Sequence, residues 1–192
     1  AMPLRQAVRR APVAMTATLL HAAMWVSNMA LLPIYAKRAH LPEDQALMLL
    51  TVLIVGGMIG QVPIGHLLDK WSAGKLLMIA GLTQSLFTLS LPFILDHGVI
   101  LWPLALIAGA FGGGIYTIAL TLLGRTFETD ELPSANTAFT MIWELGAFCG
   151  PIIGGIAMQV WNPYGMLAVS AFGGLALVVL GSRAGACDRP RR

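Results

Sequence analysis

A single carboxylate interrupts an apolar stretch at residues 140–155, which reads TMIWELGAFCGPIIGG. Glu144 can gain and lose a proton, which none of its apolar neighbours can do. A charged side chain in the middle of a bilayer costs about 2.5–3.5 kcal/mol on insertion scales, so such a group is kept for function or for pairing with a neighbouring helix. Desolvation favours its neutral form and lets it load and release a proton near neutral pH. We expect Glu144 to handle a proton or a polar substrate; a protonated glutamate with a structural hydrogen bond is the alternative.

A second polar set follows helical spacing near the start of the chain. His21, Trp25 and Asn28 stand at i, i+4 and i+7, which places them on one side of a helix. An imidazole, an indole N–H and an amide on one face suit a small polar or amphipathic ligand. Tyr116, which follows the glycine-rich stretch GAFGGG, is a further candidate for the same cavity. For His21, a buried and hydrogen-bonded histidine is an equally good interpretation.

Motifs of enzymes and metal sites do not occur. The sequence has no Ser/His/Asp arrangement, no H-E-x-x-H, no phosphate-binding glycine loop and no Cys/His spacing for a metal. The two cysteines, Cys149 and Cys187, predict neither a metal site nor a disulfide. The net charge of +3 is modest and lies in loops, which does not favour nucleic-acid binding. We expect no enzyme activity, no cofactor and no metal.

The elements that must position these side chains follow from composition. The chain of 192 residues is 57% hydrophobic and 11% charged, with a mean hydropathy of +0.76, whereas soluble domains carry about 25% charged residues. This predicts an all-α membrane protein, because each apolar stretch is near the roughly 20 residues that cross a bilayer. A bundle over 12–182 would lie between an N-terminal segment, 1–11, and a basic tail, 183–192. Ser134 is expected to cap the fifth helix. The six predicted spans are 12–36, 45–68, 75–95, 99–124, 134–160 and 163–182.

The distribution of positive charge predicts the orientation. Six spans put both ends of the chain on one side, and every Lys and Arg except Lys37 and Arg38 lies on that side. Because short cytoplasmic loops are enriched in Lys and Arg, both termini are expected in the cytoplasm, in a multi-pass protein of the cytoplasmic membrane. The residues on that side are Arg5, Arg9, Arg10, Lys70, Lys75, Arg125, Arg183, Arg189, Arg191 and Arg192.

The loop between the second and third spans carries a family resemblance. The loop sequence is GQVPIGHLLDKWSAGKLL, residues 60–77, and its characteristic residues are Gly65, Asp69, Lys70, Gly74 and Lys75. Their pattern resembles the motif between the second and third helices of each half of major facilitator superfamily transporters. The distance from Asp69 to Gly74 is about two residues longer than usual, and one basic residue follows Gly74. A carboxylate at a helix end is attracted to the N-terminus of a neighbouring helix. Asp69 is therefore expected to latch onto residues 132–136 when the cytoplasmic side is closed; a plain charged connector is the alternative.

The fifth span carries a second resemblance. Its small residues resemble the pattern G-x-x-x-G-P-x-x-G-G in the fifth helix of major facilitator exporters and antiporters; they are Gly146, Gly150, Pro151, Gly154 and Gly155. Glycines four apart leave one helix face bare, so that a neighbouring backbone can approach. Pro151 frees a backbone carbonyl and permits a kink.

The resemblance covers the whole chain but only half of such a transporter. It implies a C-terminal six-helix bundle made of two inverted three-helix units, whose first and fourth helices line a central cavity. The implied function is secondary transport of a small molecule across a lipid bilayer, with proton coupling and export favoured. The implied partner is an N-terminal six-helix half or a second copy of this chain. The alternative is a helical membrane subunit or fragment that assembles with a partner and transports nothing itself.

Overall fold

A computed structural model describes residues 3–184 of the chain and shows seven helices and no strand in that range. The helices are α1 Leu4–Arg10, α2 Pro12–Arg38, α3 Glu43–Leu68, α4 Ala73–Ile94, α5 Gly98–Thr126, α6 Leu132–Val160 and α7 Gly165–Ala184. The helices α2 to α7 are long and apolar enough to cross a membrane. The six predicted spans are confirmed, and each observed end lies within two residues of its predicted position.

The structure adds detail at the N-terminus and corrects the predicted start of α6. The N-terminal segment forms the short helix α1, in which Ala7 is fully buried. Residues 185–192, most of the predicted basic tail, lie outside the described residues. Ser134 is not the cap of the fifth span, because α6 begins at Leu132 and its second residue is Pro133. A proline is tolerated in a first helical turn, where its missing N–H would have no partner inside the helix.

The pairing of the six spans shows the inverted repeat. The three most extensive helix contacts are α3 with α5, α4 with α7, and α2 with α6. Exchanging α2–α4 with α5–α7 in order converts the α3–α5 pair into the α6–α2 pair and leaves the α4–α7 pair unchanged. This is the packing expected of two inverted three-helix units.

Three glycines of α6 set its distance from α2. A Cβ atom added at Gly146 would lie 2.4 Å from the carbonyl oxygen of Leu19, and one at Gly150 would lie 2.1 Å from that of Ala23. Optimal contacts between non-bonded heavy atoms are about 3.5–4.0 Å, so no side chain fits at either position. A Cβ atom at Gly154 would instead meet α2 side chains, at 2.4 Å from Oγ of Ser27, whereas one at Gly155, also expected in the helix contact, would have nothing within 4 Å.

The other two pairs use the same device. On α5, a Cβ atom at Gly109 would lie 2.2 Å from the carbonyl oxygen of Leu53 on α3. On α7, one at Gly181 would lie 2.5 Å from the carbonyl oxygen of Gly74 on α4. Backbones that approach this closely gain van der Waals contact without a hydrophobic driving force, which is how helices associate in lipid.

Polar contacts join the helix ends on both sides of the bundle. On the side that carries α1, both guanidinium nitrogens of Arg10 bond the carboxylate of Glu131, one of them at 2.9 Å, and the guanidinium lies 4.6 Å from the ring centroid of Phe127. On the opposite side, Arg38 donates a hydrogen bond of 2.8 Å to Asn162. The hydrogen bond from Arg10 lowers the pKa of Glu131, and one from the backbone N–H of Glu128 lowers it further.

Replacing a glycine of the α2–α6 contact tests this packing. Gly150→Val places two methyl groups where the Ala23 backbone lies, and overpacking of this kind costs about 1–3 kcal/mol. The matched control is Gly155→Val, one turn further along α6, where the space is open. Unfolding of the purified chain by SDS in mixed micelles, followed by tryptophan fluorescence, should show destabilisation of the Gly150 variant alone. Equal destabilisation of both variants would contradict the close contact.

The Arg10–Glu131 pair predicts a pH dependence. Because the pKa of Glu131 in the folded chain is below its ordinary value of 4.5, the pair stabilises the fold above about pH 4.5, and this contribution is lost as the pH falls through the lowered pKa. Arg10→Gln should return the pKa of Glu131 toward 4.5, whereas Arg9→Gln should leave it unchanged. Titration of side-chain carboxyl signals by NMR measures both. An unchanged pKa in Arg10→Gln would show that Arg10 does not perturb it.

Candidate functional site

A cavity of about 330 Å³ lies among α2, α3, α5 and α6. Aromatic and imidazole rings form most of its wall, and two uncharged polar side chains complete it. No Lys, Arg, Asp or Glu of the described residues lines this cavity. The lining residues are His21, Trp25, Gln61, Gly113, Tyr116, Phe139, Thr140 and Trp143.

The rings of the cavity contact one another. The centroid of the His21 ring lies 5.7 Å from that of Trp25 and 6.2 Å from that of Tyr116. Tyr116 in turn meets Phe139 of α6 at 5.6 Å, edge to face. Rings at 4.5–7 Å in tilted or edge-to-face arrangements attract each other, so the wall is held by its own side chains.

Glycines make the room that the Trp25 indole occupies. A Cβ atom at Gly57 of α3 would lie 2.5 Å from Cη2 of Trp25, and one at Gly112 of α5 would lie 3.3 Å from its Cζ3. The glycine-rich stretch before Tyr116 therefore serves the cavity in two ways. It brings α5 against α3, where Gly113 packs on the backbone of Gly57, and it leaves space for a large ring from α2.

The structure brings together three of the four residues suggested for a substrate cavity. His21, Trp25 and Tyr116 line it, but Asn28 does not. Asn28 shares the helix face of His21, yet seven residues carry it about 10 Å further along α2. There its Oδ1 accepts a hydrogen bond of 3.2 Å from the Ser170 hydroxyl, beside the buried Gln84. The amide links α2 to α7 and does not line this cavity; a role for Asn28 in substrate binding stays a prediction.

The contribution of α6 to the wall was missed by the sequence reasoning. Phe139, Thr140 and Trp143 reach the cavity from the turns that precede Glu144. Their spacing of i, i+1 and i+4 was a signal of one face, but the polar residues of the same stretch, Asn136, Thr137 and Glu144, drew attention to another. The indole Nε1 of Trp143 is buried and has no hydrogen-bond partner among the described residues. It is an unused donor in the wall of a cavity.

Glu144 lies beside this cavity, in an open groove on α6. The groove measures about 500 Å³ and is lined by Asn136, Thr137, Thr140, Met141 and Glu144. Thr140 lines both the groove and the cavity, so the two adjoin there. Glu144 is exposed on the bundle surface, and no residue in the range 3–184 forms a hydrogen bond or ion pair with it.

The position of Glu144 along the chain singles it out. Among the residues that the structure describes, it is the only Asp, Glu, Lys or Arg more than one turn inside any of the six spans. The structural hydrogen bond considered as the alternative is not formed with any described residue, because the face of α6 that carries Glu144 points away from α2. A charge in this position requires water or a second protein surface.

The loop motif lies at the ends of α3 and α4. Asp69 ends α3, is exposed, and is not hydrogen-bonded to α6, because α3 packs on α5 and α6 packs on α2. The expected latch to residues 132–136 is not formed in this structure. The Nζ atom of Lys75 lies 4.4 Å from the ring centroid of Trp71. Gly74 supplies the close contact with Gly181, whereas Gly65 has open space around it.

Known families and relatives match this chain. The Major Facilitator Superfamily model matches residues 14–192. An uncharacterized MFS-type transporter of Bacillus subtilis (strain 168), YfkF, is 26% identical over 130 residues, which are 68% of this chain and 33% of the relative. Another of Yersinia enterocolitica, YE1530, is 29% identical over 151 residues, 78% of this chain and 38% of the relative.

A third relative extends the match. YcaD of Escherichia fergusonii, also an uncharacterized MFS-type transporter, is 27% identical over 157 residues, 81% of this chain and 40% of the relative. The matched segment thus spans no more than 40% of each of these relatives. With six apolar helices in two inverted units and a family match over most of its length, this chain belongs to the Major Facilitator Superfamily.

Proposed function

We propose that this multi-pass membrane chain forms one half of a secondary transporter that exports a small molecule in exchange for protons. The observation that carries the proposal is the polar groove of Glu144, which adjoins an aromatic cavity near the middle of the spans. Glu144 is the thirteenth of the 29 residues of α6, about 18 Å from the start of the helix. Binding sites of secondary transporters lie at this depth, between two repeats.

A partner surface is needed to complete the pathway. Only 22% of the most apolar part of α6 and 33% of that of α3 is buried, against 50% for α7. Lipid could cover the apolar side chains of α6, but not the carboxylate of Glu144 at a low cost. The partner that we propose is an N-terminal six-helix half, because the matched relatives are more than twice as long as the matched segment. A second copy of this chain is the other source of such a surface.

The transport cycle would use Glu144 in two states. With a second bundle on the α6 face, the groove becomes a closed path, and rocking of the two bundles exposes it to one side at a time. An ionised Glu144 attracts a polar or cationic solute, and a protonated Glu144 releases it. Exchange of a proton for the solute at one carboxylate couples their movements in opposite directions.

The orientation is also part of the proposal. Of the Lys and Arg residues in the range 3–184, all but Lys37 and Arg38 lie on the α1 side, and short loops rich in such residues stay in the cytoplasm. Both termini would then be cytoplasmic and the membrane would be the cytoplasmic one. Export follows from the resemblance of the Gly146–Gly155 pattern to that of exporters.

Two substitutions at Glu144 test the coupling. Glu144→Gln keeps the shape and hydrogen bonding of the protonated form but cannot titrate, so proton-driven transport should fall at least tenfold while exchange of solute persists. Glu144→Ala should impair both. The assay is flux of a solute, selected by screening energised vesicles that contain the native full-length protein, with and without a proton gradient. Asp44→Asn, an exposed acid at the start of α3, is the control and should retain full activity.

A structural glutamate would give the opposite pattern. Glu144→Gln would then be nearly silent, whereas Glu144→Ala would lower expression and thermal stability because a hydrogen bond would be left unmade. A fully active Gln variant under a proton gradient rejects the coupling role.

We further propose that the loop motif closes the α1 side of the assembled transporter. Asp69 is exposed at the end of α3 and does not contact the start of α6 within this bundle. A latch therefore has to form with a helix start that becomes adjacent when the second bundle docks or when the two bundles rock. The attraction between a carboxylate and a helix N-terminus is about 0.3–2 kcal/mol.

Asp69→Asn removes the charge and keeps the size. Transport by the full-length protein should slow by two- to thirty-fold, the range equivalent to 0.3–2 kcal/mol, at an unchanged level in the membrane. Asp130→Asn, an exposed acid in the α5–α6 loop on the same side, should have no such effect. Equal rates for wild type and Asp69→Asn at matched expression would reduce the loop to a connector.

A further inference from the structure

The wall of the cavity has a chemical character that the transport function leaves unexplained. Five of its eight lining residues carry rings: His21, Trp25, Tyr116, Phe139 and Trp143. Among the described residues, the cavity has no cationic side chain, and the adjoining groove holds one carboxylate. Aromatic side chains without a positive charge, beside a single negative one, form a site with a definite preference for ligand charge.

The faces of the rings attract positive charge. A ligand cation within about 6 Å of the centre of a Trp, Tyr or Phe ring is stabilised by its quadrupole, by about 2 kcal/mol or more when water is excluded. The His21 ring lies between those of Trp25 and Tyr116 and contacts both. Trp25, Tyr116 and Trp143 are partly exposed, whereas His21 and Phe139 are buried, so a ligand in the cavity meets the first three rings. Glu144 adds an opposite charge next to this wall.

Within this bundle, an anionic ligand would find no opposite charge to compensate its own. Burying an isolated ionised group away from water costs far more than burying a neutral one, unless an opposite charge pairs with it. No Lys or Arg of the described chain stands more than one turn inside a span. A carboxylate, sulfonate or phosphate in the cavity would also be repelled by Glu144.

The wall also offers a hydrogen bond. The buried Nε1 of Trp143 has no partner among the described residues, and the amide of Gln61 faces the same space. A buried donor without a partner costs about 1–3 kcal/mol. A ligand with an oxygen acceptor in its body would satisfy this donor.

We propose that the cavity and groove bind a small monovalent organic ammonium ion with an aromatic body and an oxygen acceptor. The cationic group lies against the rings and Glu144, and the body fills the cavity. This inference rests on the proposed function, because it names the substrate class of the same site. The volume of about 330 Å³ lies at the small end of the range for ligand pockets, about 300–1,000 Å³.

Three probes with one shape and three charges test the proposal. They share a phenoxyethyl body, with its aromatic ring and ether oxygen, and end in a trimethylammonium, a tert-butyl or a sulfonate group. Binding to the native full-length protein in nanodiscs of zwitterionic lipid is measured by equilibrium dialysis, with empty nanodiscs subtracted. The ammonium probe should bind saturably, with a Kd at least tenfold lower than that of either other probe.

Variants then assign the preference to the proposed groups. Glu144→Gln should reduce the ratio of ammonium to tert-butyl affinity at least threefold without weakening the tert-butyl probe. Tyr116→Leu should weaken the ammonium probe more than the tert-butyl probe, whereas Tyr116→Phe, which keeps the ring, should not. Trp143→Leu, with Trp143→Phe as its ring-keeping partner, gives the same comparison if the Tyr116→Leu protein is misfolded by circular dichroism. Trp102→Leu removes a ring outside the cavity and is the control.

Several results would overturn the proposal. Equal or tighter binding of the tert-butyl or sulfonate probe would do so, as would a preference that survives both Glu144→Gln and the loss of the rings. The absence of saturable binding by all three probes would also reject it. If the ligand class is rejected in one of these ways, proton-driven flux of some other solute would still support the transport function. Conversely, binding of the ammonium probe without flux of any solute would reject transport and keep the ligand class.

Discussion

Direct backbone contact between helices at glycine positions is the constraint on which this bundle depends. In lipid, apolar side chains gain little by meeting each other, so helices associate where their surfaces come very close. Gly150 on Ala23, Gly109 on Leu53 and Gly181 on Gly74 provide such contacts in the three main helix pairs. The same kind of close glycine contact therefore recurs in each of the three main helix pairs of the inverted repeat.

The same contacts decide where the cavity forms and which face of α6 stays open. Glycines hold α6 against α2 and α5 against α3, and the cavity lined by large rings lies between these two pairs. The glycine-lined face of α6 packs against α2, so Glu144 lies on the opposite, outward face. Position in the membrane, rather than a local partner, makes this carboxylate the unusual group of the chain.

Sequence reasoning predicted the six spans, since hydropathy and loop charge report directly on the bilayer, and it predicted the small-residue face of α6. It placed His21, Trp25 and Tyr116 in one cavity because helical spacing and the order of spans suffice for that. It could not show that Asn28 lies beyond this cavity, since spacing fixes direction around a helix but not depth relative to other helices. Trp143 was missed because the sequence gives no sign of which ring in this run faces a cavity. Gly155 was wrongly assigned to the helix contact because a glycine pattern does not show which of its members meets a neighbouring helix.

The pairing order has a consequence for how the chain is made. Each main pair joins helices that are two to four elements apart: α3 with α5, α4 with α7, and α2 with α6. A chain that enters the membrane from its N-terminus therefore exposes the bare α2 backbone at Leu19 and Ala23 until α6 emerges. Long-range pairing slows assembly, since early elements must wait for late ones. Until the last helix is in place, the unfinished bundle would present faces to lipid that are covered by other helices in the finished one.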